Sequence, residues 1–222
     1  MGTRPPEKIE RCDYVLAIDF ETANTEPASA CALGATLLRG SEVVATKSAR
    51  FRPYTGQYFC FTDIHGIRWN DVRNEPHFDA VWRDFQSLWE EADLIIAHNA
   101  SFDMRVLFAC ARQGGFVPEP RWYSCTVEIA RSRWPEFPNH KLNTLCDELN
   151  IDLAHHNAES DATACAAIYV AATRENTSIY IYENAGWTTT NVPASATYTR
   201  RDRIGRQPVT KSRVGTDARG RT

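Results

Sequence analysis

The stretch that most constrains this chain is Tyr14 to Thr22, YVLAIDFET, an apolar run ending in two carboxylates one residue apart. Tyr14 through Ile18 is short, continuous and rich in β-branched and aromatic residues, which predicts a buried strand. Side chains alternate between the faces of a strand, so Asp19 and Glu21 project from the same face. Neighbouring carboxylates repel, and burial makes each one costlier unless positive charge lies between them. A divalent cation that prefers hard oxygen ligands, Mg²⁺ or Mn²⁺, removes that conflict. Taken alone, the segment also fits a strand running out into solvent with two exposed acids.

The 222 residues suggest one domain, with room for an appendage and a sizeable core. Hydrophobic content of 43% with 24% charged residues is ordinary for a globular protein. The seven cysteines are scattered without a CxxC pair, which fits reduced thiols in a cytoplasmic compartment better than a disulfide framework. There is no 18-residue apolar run and no charged-then-apolar leader, so neither a membrane span nor an export signal is expected. The net charge of −3 conceals an asymmetry. Residues 198–222 hold eight Lys/Arg against Asp202 and Asp217, a net +6, so the preceding 197 residues carry −9. That acidic body repels a polyanion unless bound cations reverse the local field. The basic end reads either as an electrostatic arm for nucleic acid or as a solvated tail.

Along the chain, residues 1–12 read as a flexible lead-in, 13–175 as one folded domain and 176–222 as a basic, flexible tail. After a turn at Ala23–Ser29, Ala30–Leu38 and Glu42–Phe51 read as two strands joined by Arg39-Gly40-Ser41. Residues 52–74 read as loop. A helix opens at Glu75-Pro76 and runs to Glu91, its Phe78, Val81, Trp82, Phe85, Leu88 and Trp89 forming an apolar stripe. Asp93–Ala97 is a short strand, and Ser101 is placed to cap a helix that Gly114-Gly115 ends. Trp122–Ser124 (strand), Thr126–Trp134, His140–Asn150 and Glu159–Thr173 (helices) follow. The pattern predicts an α/β fold with a mixed five-stranded sheet flanked by helices.

Three stretches place acids where elements begin or end. Asp19 and Glu21 close the first strand, Asp103 lies just inside the helix after Asp93–Ala97, and Asp161 sits in the first turn of the last helix, five residues after His156. Acids in first turns also complement the helix dipole, so neither Asp103 nor Asp161 is diagnostic alone.

The four acids and the histidine together resemble the DEDD exonuclease superfamily in its histidine branch, related to the proofreading epsilon subunit of bacterial DNA polymerase III. The matching motifs are IDFETAN (18–24), IHGI (64–67), IIAHNASFDMRVL (95–107) and HHNAESDA (155–162). The sister branch carries tyrosine four residues before the last acid, where this chain has Asn157. Ala23 departs from the family, many members of which have a second threonine there. The resemblance implies a ribonuclease H-like fold, two divalent cations held by Asp19, Glu21, Asp103 and Asp161, and 3′-to-5′ release of nucleoside monophosphates with His156 as base.

The chemistry is coherent with those residues. Phosphodiester hydrolysis needs an in-line water and a stabilised leaving oxygen, which paired cations supply. An imidazole with an ordinary pKa of about 6.5 accepts a proton near neutrality. His155 is the neighbour that competes for that role, ranked second on spacing. The expected substrate contacts are Thr22, Ala23 and Asn24 through backbone N–H groups, together with His65, Asn99 and Phe102, while His98 braces the site. The expected partners are single-stranded 3′ ends, DNA ahead of RNA, and a DNA polymerase subunit, with no membrane. An RNA-trimming enzyme with the same site, or a non-catalytic polymerase-associated module, are the alternatives, because the acids handle only the phosphodiester and cannot read the 2′-OH.

Overall fold

The computed structural model describes residues 12–174, 179–183 and 201–204. The lead-in 1–12, apart from Cys12, and most of the tail 176–222 lie outside the described residues.

β1 (Tyr14–Thr22) is the sheet's organising strand. It pairs antiparallel with β2 (Ala30–Arg39) on one side and parallel with β4 (Leu94–Ala97) on the other. β3 (Glu42–Arg50) extends the β2 edge, and β5 (Trp122–Cys125) lies parallel to β4. Beyond them come β6 (Ile179–Glu183) and β7 (Arg201–Ile204), both antiparallel, giving the order β3-β2-β1-β4-β5-β6-β7. The sheet is therefore mixed as expected but has seven strands, not five. The two additions come from the segment read as tail: a strand five residues long owes its order to pairing with β5 and to burying Ile179 and Ile181, and local periodicity shows neither.

The alternation of β1 sorts the helices. Leu16, Ile18 and Phe20 pack on the face covered by α3 (Phe78–Glu91) and α4 (Ala100–Gln113), with Phe78, Trp82, Phe85, Trp89, Met104 and Leu107. Val15 and Ala17 pack on the opposite face with Ile129 of α5 (Thr126–Arg133) and with Cys165, Ala166 and Tyr169 of α7 (Ala158–Thr173). Each large side chain buried in this way contributes about 1.5–3 kcal/mol. Asp19 and Glu21 continue the Val15/Ala17 phase, so β1 aims both acids at α7.

α7 reaches the sheet because small residues face it. Gly34 of β2 is the register partner of Asp19, and a Cβ there would sit 1.9 Å from the Ala158 carbonyl oxygen. The missing side chain is what lets the start of α7 rest on the β1–β2 pair. A Thr36–Thr163 hydroxyl contact at 2.9 Å and a bond from the Ser48 hydroxyl to the Glu159 carboxylate hold it there.

Smaller departures have local causes. The 52–74 segment contains two one-turn helices, α1 (Thr62–His65) and α2 (Trp69–Val72). Four residues are too few for a periodic signal; Gly66 at φ 73° ends the first, and Asp71 accepts the Arg68 N–H (2.7 Å) to start the second. α4 begins at Ala100 on Asn99, which adopts the left-handed conformation, and Ser101 lies inside the helix rather than capping it. Asparagine tolerates that region better than most residues. α6 (Leu142–Leu149) completes the fold, packing Leu142, Leu145 and Cys146 on Ala164 and Ile168 of α7. Among the described residues, no helix is long and apolar enough to cross a membrane.

Candidate active site

Asp19 and Glu21 meet Asp161 where β1 ends against the first turn of α7. One carboxylate oxygen from each lies within 4.8 Å of the other two. Glu21 and Asp161 are buried and Asp19 half-buried. Asp103, buried in the first turn of α4, stands outside that three-acid set and accepts the Phe20 backbone N–H at 3.1 Å, so it is fixed directly behind Asp19.

No Lys or Arg forms an ion pair with these acids among the described residues, and their protonation reflects it. Burial holds the Asp19 carboxyl well above the usual range, and Asp103, Glu21 and Asp161 push it further. Burial also raises Asp103, aided by Glu21 and opposed by the Phe20 N–H. Glu21 is raised to about 7, by burial and then by Asp161. Asp161 is raised by burial and held back by His155. Its Oδ1 is buried without a hydrogen-bond partner, which costs about 1–3 kcal/mol if nothing meets it. An acceptor-only oxygen, left bare among repelling carboxylates, fits a hard divalent cation: Asp19, Glu21 and Asp161 would hold it, with Asp103 beside them.

The two histidines bind Asp161 differently. His155 Nδ1–H donates to Asp161 Oδ2 at 3.3 Å, whereas His156 donates its backbone N–H to the same oxygen at 3.1 Å. Their rings stack 3.8 Å apart, and His156 sits at φ 64°. The His156 ring makes no hydrogen bond to Asp161, although one ring nitrogen lies within 4.8 Å of an Asp161 oxygen. Burial and the neighbouring His155 lower its pKa, which keeps it neutral and able to accept a proton near pH 7.

The expected substrate residues separate into two groups. Asn99 lines the cavity with the acids, while Phe102 packs against the main core. Thr22, Ala23 and Asn24 are buried. The N–H groups of Ala23 and Asn24, expected to face substrate, are instead donated to the Ser29 carbonyl (2.9 Å) and hydroxyl (3.1 Å). Asn24 spends its side chain on the Tyr58 carbonyl and the Glu26 N–H. His65 Nδ1 accepts from Ile67 N–H and Nε2–H donates to the Thr22 carbonyl, each at 3.0 Å, which fixes a neutral tautomer. His98 does brace: Nε2–H donates to the His140 carbonyl, and burial lowers the ring to about 4.

The exonuclease family model, of the RNase T type, matches residues 16–169. This chain belongs to the exonuclease family. Its acids and fold make it a DEDD-type exonuclease domain, similar to the epsilon-like exonuclease part of polymerase III. DNA polymerase III of the PolC type from Oceanobacillus iheyensis is 33% identical over 155 residues, which is 68% of this chain and 11% of that protein. The Bacillus subtilis counterpart is 34% identical over 136 residues, 60% and 9% of the two chains. The exonuclease domain thus spans about a tenth of the length of these relatives. Among solved structures, exonuclease X in complex with 5′-overhanging duplex DNA aligns with a TM-score of 0.60 at 22% identity, over 79% of this chain and 95% of that one. E. coli exonuclease I in complex with a dT13 oligonucleotide aligns with a TM-score of 0.62 at 18% identity, over 74% and 42%. These likenesses place the fold among ribonuclease H-like exonucleases.

Sequence reasoning missed Gly34 and the strand carrying Tyr182. An isolated glycine inside a strand pattern is the available signal for the first, since it marks a close backbone approach. Tyr182 of β6 lines the same cavity of the exonuclease domain, donating its hydroxyl to Glu128. No local motif announces it.

Proposed function

We propose that this chain is a divalent-metal-dependent 3′-to-5′ exonuclease of the histidine branch, releasing nucleoside 5′-monophosphates from single-stranded 3′ ends, DNA ahead of RNA. The observation that carries this reading is the convergence of Asp19, Glu21 and Asp161 within 4.8 Å, with a bare Asp161 oxygen, at the edge of a cavity of about 720 Å³. When bound, two cations, Mg²⁺ or Mn²⁺, would acidify the attacking water and offset charge on the leaving 3′ oxygen. Asp19, Glu21 and Asp161 would hold them, with Asp103 completing the set of acids. His156 takes the proton from the attacking water. His155 steadies Asp161 through Oδ2, leaving Oδ1 as the oxygen that would be available to a cation. Asn99 orients the substrate at the start of α4, while Phe102 and the Thr22–Asn24 and His65 segments brace the end of β1 from outside the cavity.

The PolC relatives support a role beside a DNA polymerase, in proofreading or repair. The seven free cysteines support the reducing cytoplasm. The test is product length against time for 5′-labelled DNA and RNA oligomers of one sequence, with Mn²⁺ or EDTA. A descending ladder on DNA, absent in EDTA and slowed about 10²–10⁴-fold by His156→Ala, is expected. His155→Ala should cost less. A ladder confined to RNA would move the assignment to RNA trimming, and none on either would overturn it.

A further inference from the structure

The cavity is larger than the reacting phosphate requires. At about 720 Å³ it lies in the upper part of the usual range for ligand sites, roughly 300–1,000 Å³. Its lining is chemically mixed. Asp19, Glu21 and Asp161 share the wall with Arg131, Asn139, Lys141 and Asn143.

Arg131 and Lys141 are exposed, and neither has a carboxylate within ion-pair distance among the described residues. Glu128, another acid in the wall, is occupied by the Tyr182 hydroxyl. In a body whose charge is otherwise strongly negative, two unpaired cations facing one cavity are conspicuous.

Arg131 sits in the last turn of α5, and the loop from there to Lys141 is fastened to the end of β4, the strand beside β1. His98, directly after β4, donates Nε2–H to the His140 carbonyl at 3.0 Å. His140 donates its own Nε2–H to the Trp134 carbonyl (2.8 Å), and the Lys141 N–H bonds Asn139 Oδ1 (2.9 Å). Trp134 and Phe137 stack at 5.7 Å within the same loop. A surface lysine with no task needs no such anchoring. α6 then opens without a side-chain cap, adding its positive end to the same wall.

We propose that Arg131 and Lys141 form a second phosphate subsite, which holds a backbone phosphate of the strand adjacent to the scissile one. The subsite deepens the exonuclease reading and rests on it. It sets how tightly the enzyme grips a strand, while the acids and His156 set the chemistry.

The test compares two substrates for the full chain with Mn²⁺: an oligothymidylate, and thymidine 5′-monophosphate p-nitrophenyl ester, which has one phosphodiester and no neighbouring phosphate. Arg131→Gln with Lys141→Gln should raise KM for the oligomer about tenfold, with a far smaller change on the ester. The slope of log(kcat/KM) against log salt should shrink by about 0.7 per cation removed. Lys141→Arg should rescue, and Arg83→Gln, on the exposed side of α3, should act as wild type. Equal losses on both substrates, or an unchanged oligomer KM and salt slope, would overturn the subsite while leaving the exonuclease intact. A wild-type enzyme inert towards oligomer and ester alike would instead overturn the exonuclease reading, and the subsite with it.

Discussion

Two loops flank the end of β1, and they treat their polar atoms in opposite ways. On one side, the segment from Thr22 to Ser29 and the turn around His65 satisfy one another. Ala23 and Asn24 give their N–H groups to Ser29, Asn24 ties Tyr58, and both nitrogens of His65 are engaged. On the other side, Asp161 keeps a buried oxygen with no partner, four acids crowd with no Lys or Arg paired to them among the described residues, and His156 is held in a left-handed backbone conformation. The first loop has the chemistry of a brace. The second stores unfavourable electrostatics that a bound cation or protonation relieves, as expected where function outweighs stability.

Removing the unfavourable charge should separate the two loops most clearly. Asp161→Asn should lower turnover on the order of a thousandfold, while raising the melting temperature of the EDTA-treated protein, since it deletes a buried repelling charge. Steady-state rates and calorimetry on the same sample check both directions; a fall in melting temperature would contradict the account.

The next effect is on pH and metal. Glu21 is raised from 4.5 to about 7 in the folded state, so the native protein binds more protons than the unfolded chain across that interval. In EDTA, stability should therefore be full below 4.5 and decline as pH rises through about 7. Added Mn²⁺ should reverse the decline at pH 8 and do little at pH 5. Thermal melts at the two pH values, with and without metal, read this out.

Gly34→Ala strikes the contact between β2 and α7 instead of any charge. Overpacking there should cost about 1–3 kcal/mol by urea titration and lower activity as Asp161 moves away from Asp19. The smallest effect belongs to the brace. Asn24→Ala should cost about 1 kcal/mol and leave the metal-dependent gain in melting temperature in place.

What the sequence made legible follows the same division. The positions of the acids could be read because strand alternation and helix first turns are local rules, as is the apolar stripe of α3, whereas their roles and that of His156 come from the family resemblance. The side chains of Asn24 and His65 could not be assigned, because whether a polar group faces substrate or a neighbouring carbonyl depends on loop closure between segments some 40 residues apart in sequence. β6 was hidden for a related reason: Ile179 and Ile181 find their partners on α7 and the sheet only after the chain has folded.

The glycine opposite Asp19 has a consequence for design. Anyone transplanting the IDFET and HHNAESDA motifs onto a different strand and helix would copy the three acids that meet there and still fail to bring them together. The portable unit includes an absence, a position on the neighbouring strand where no side chain is allowed, and a search keyed only to the ligands would pass over it.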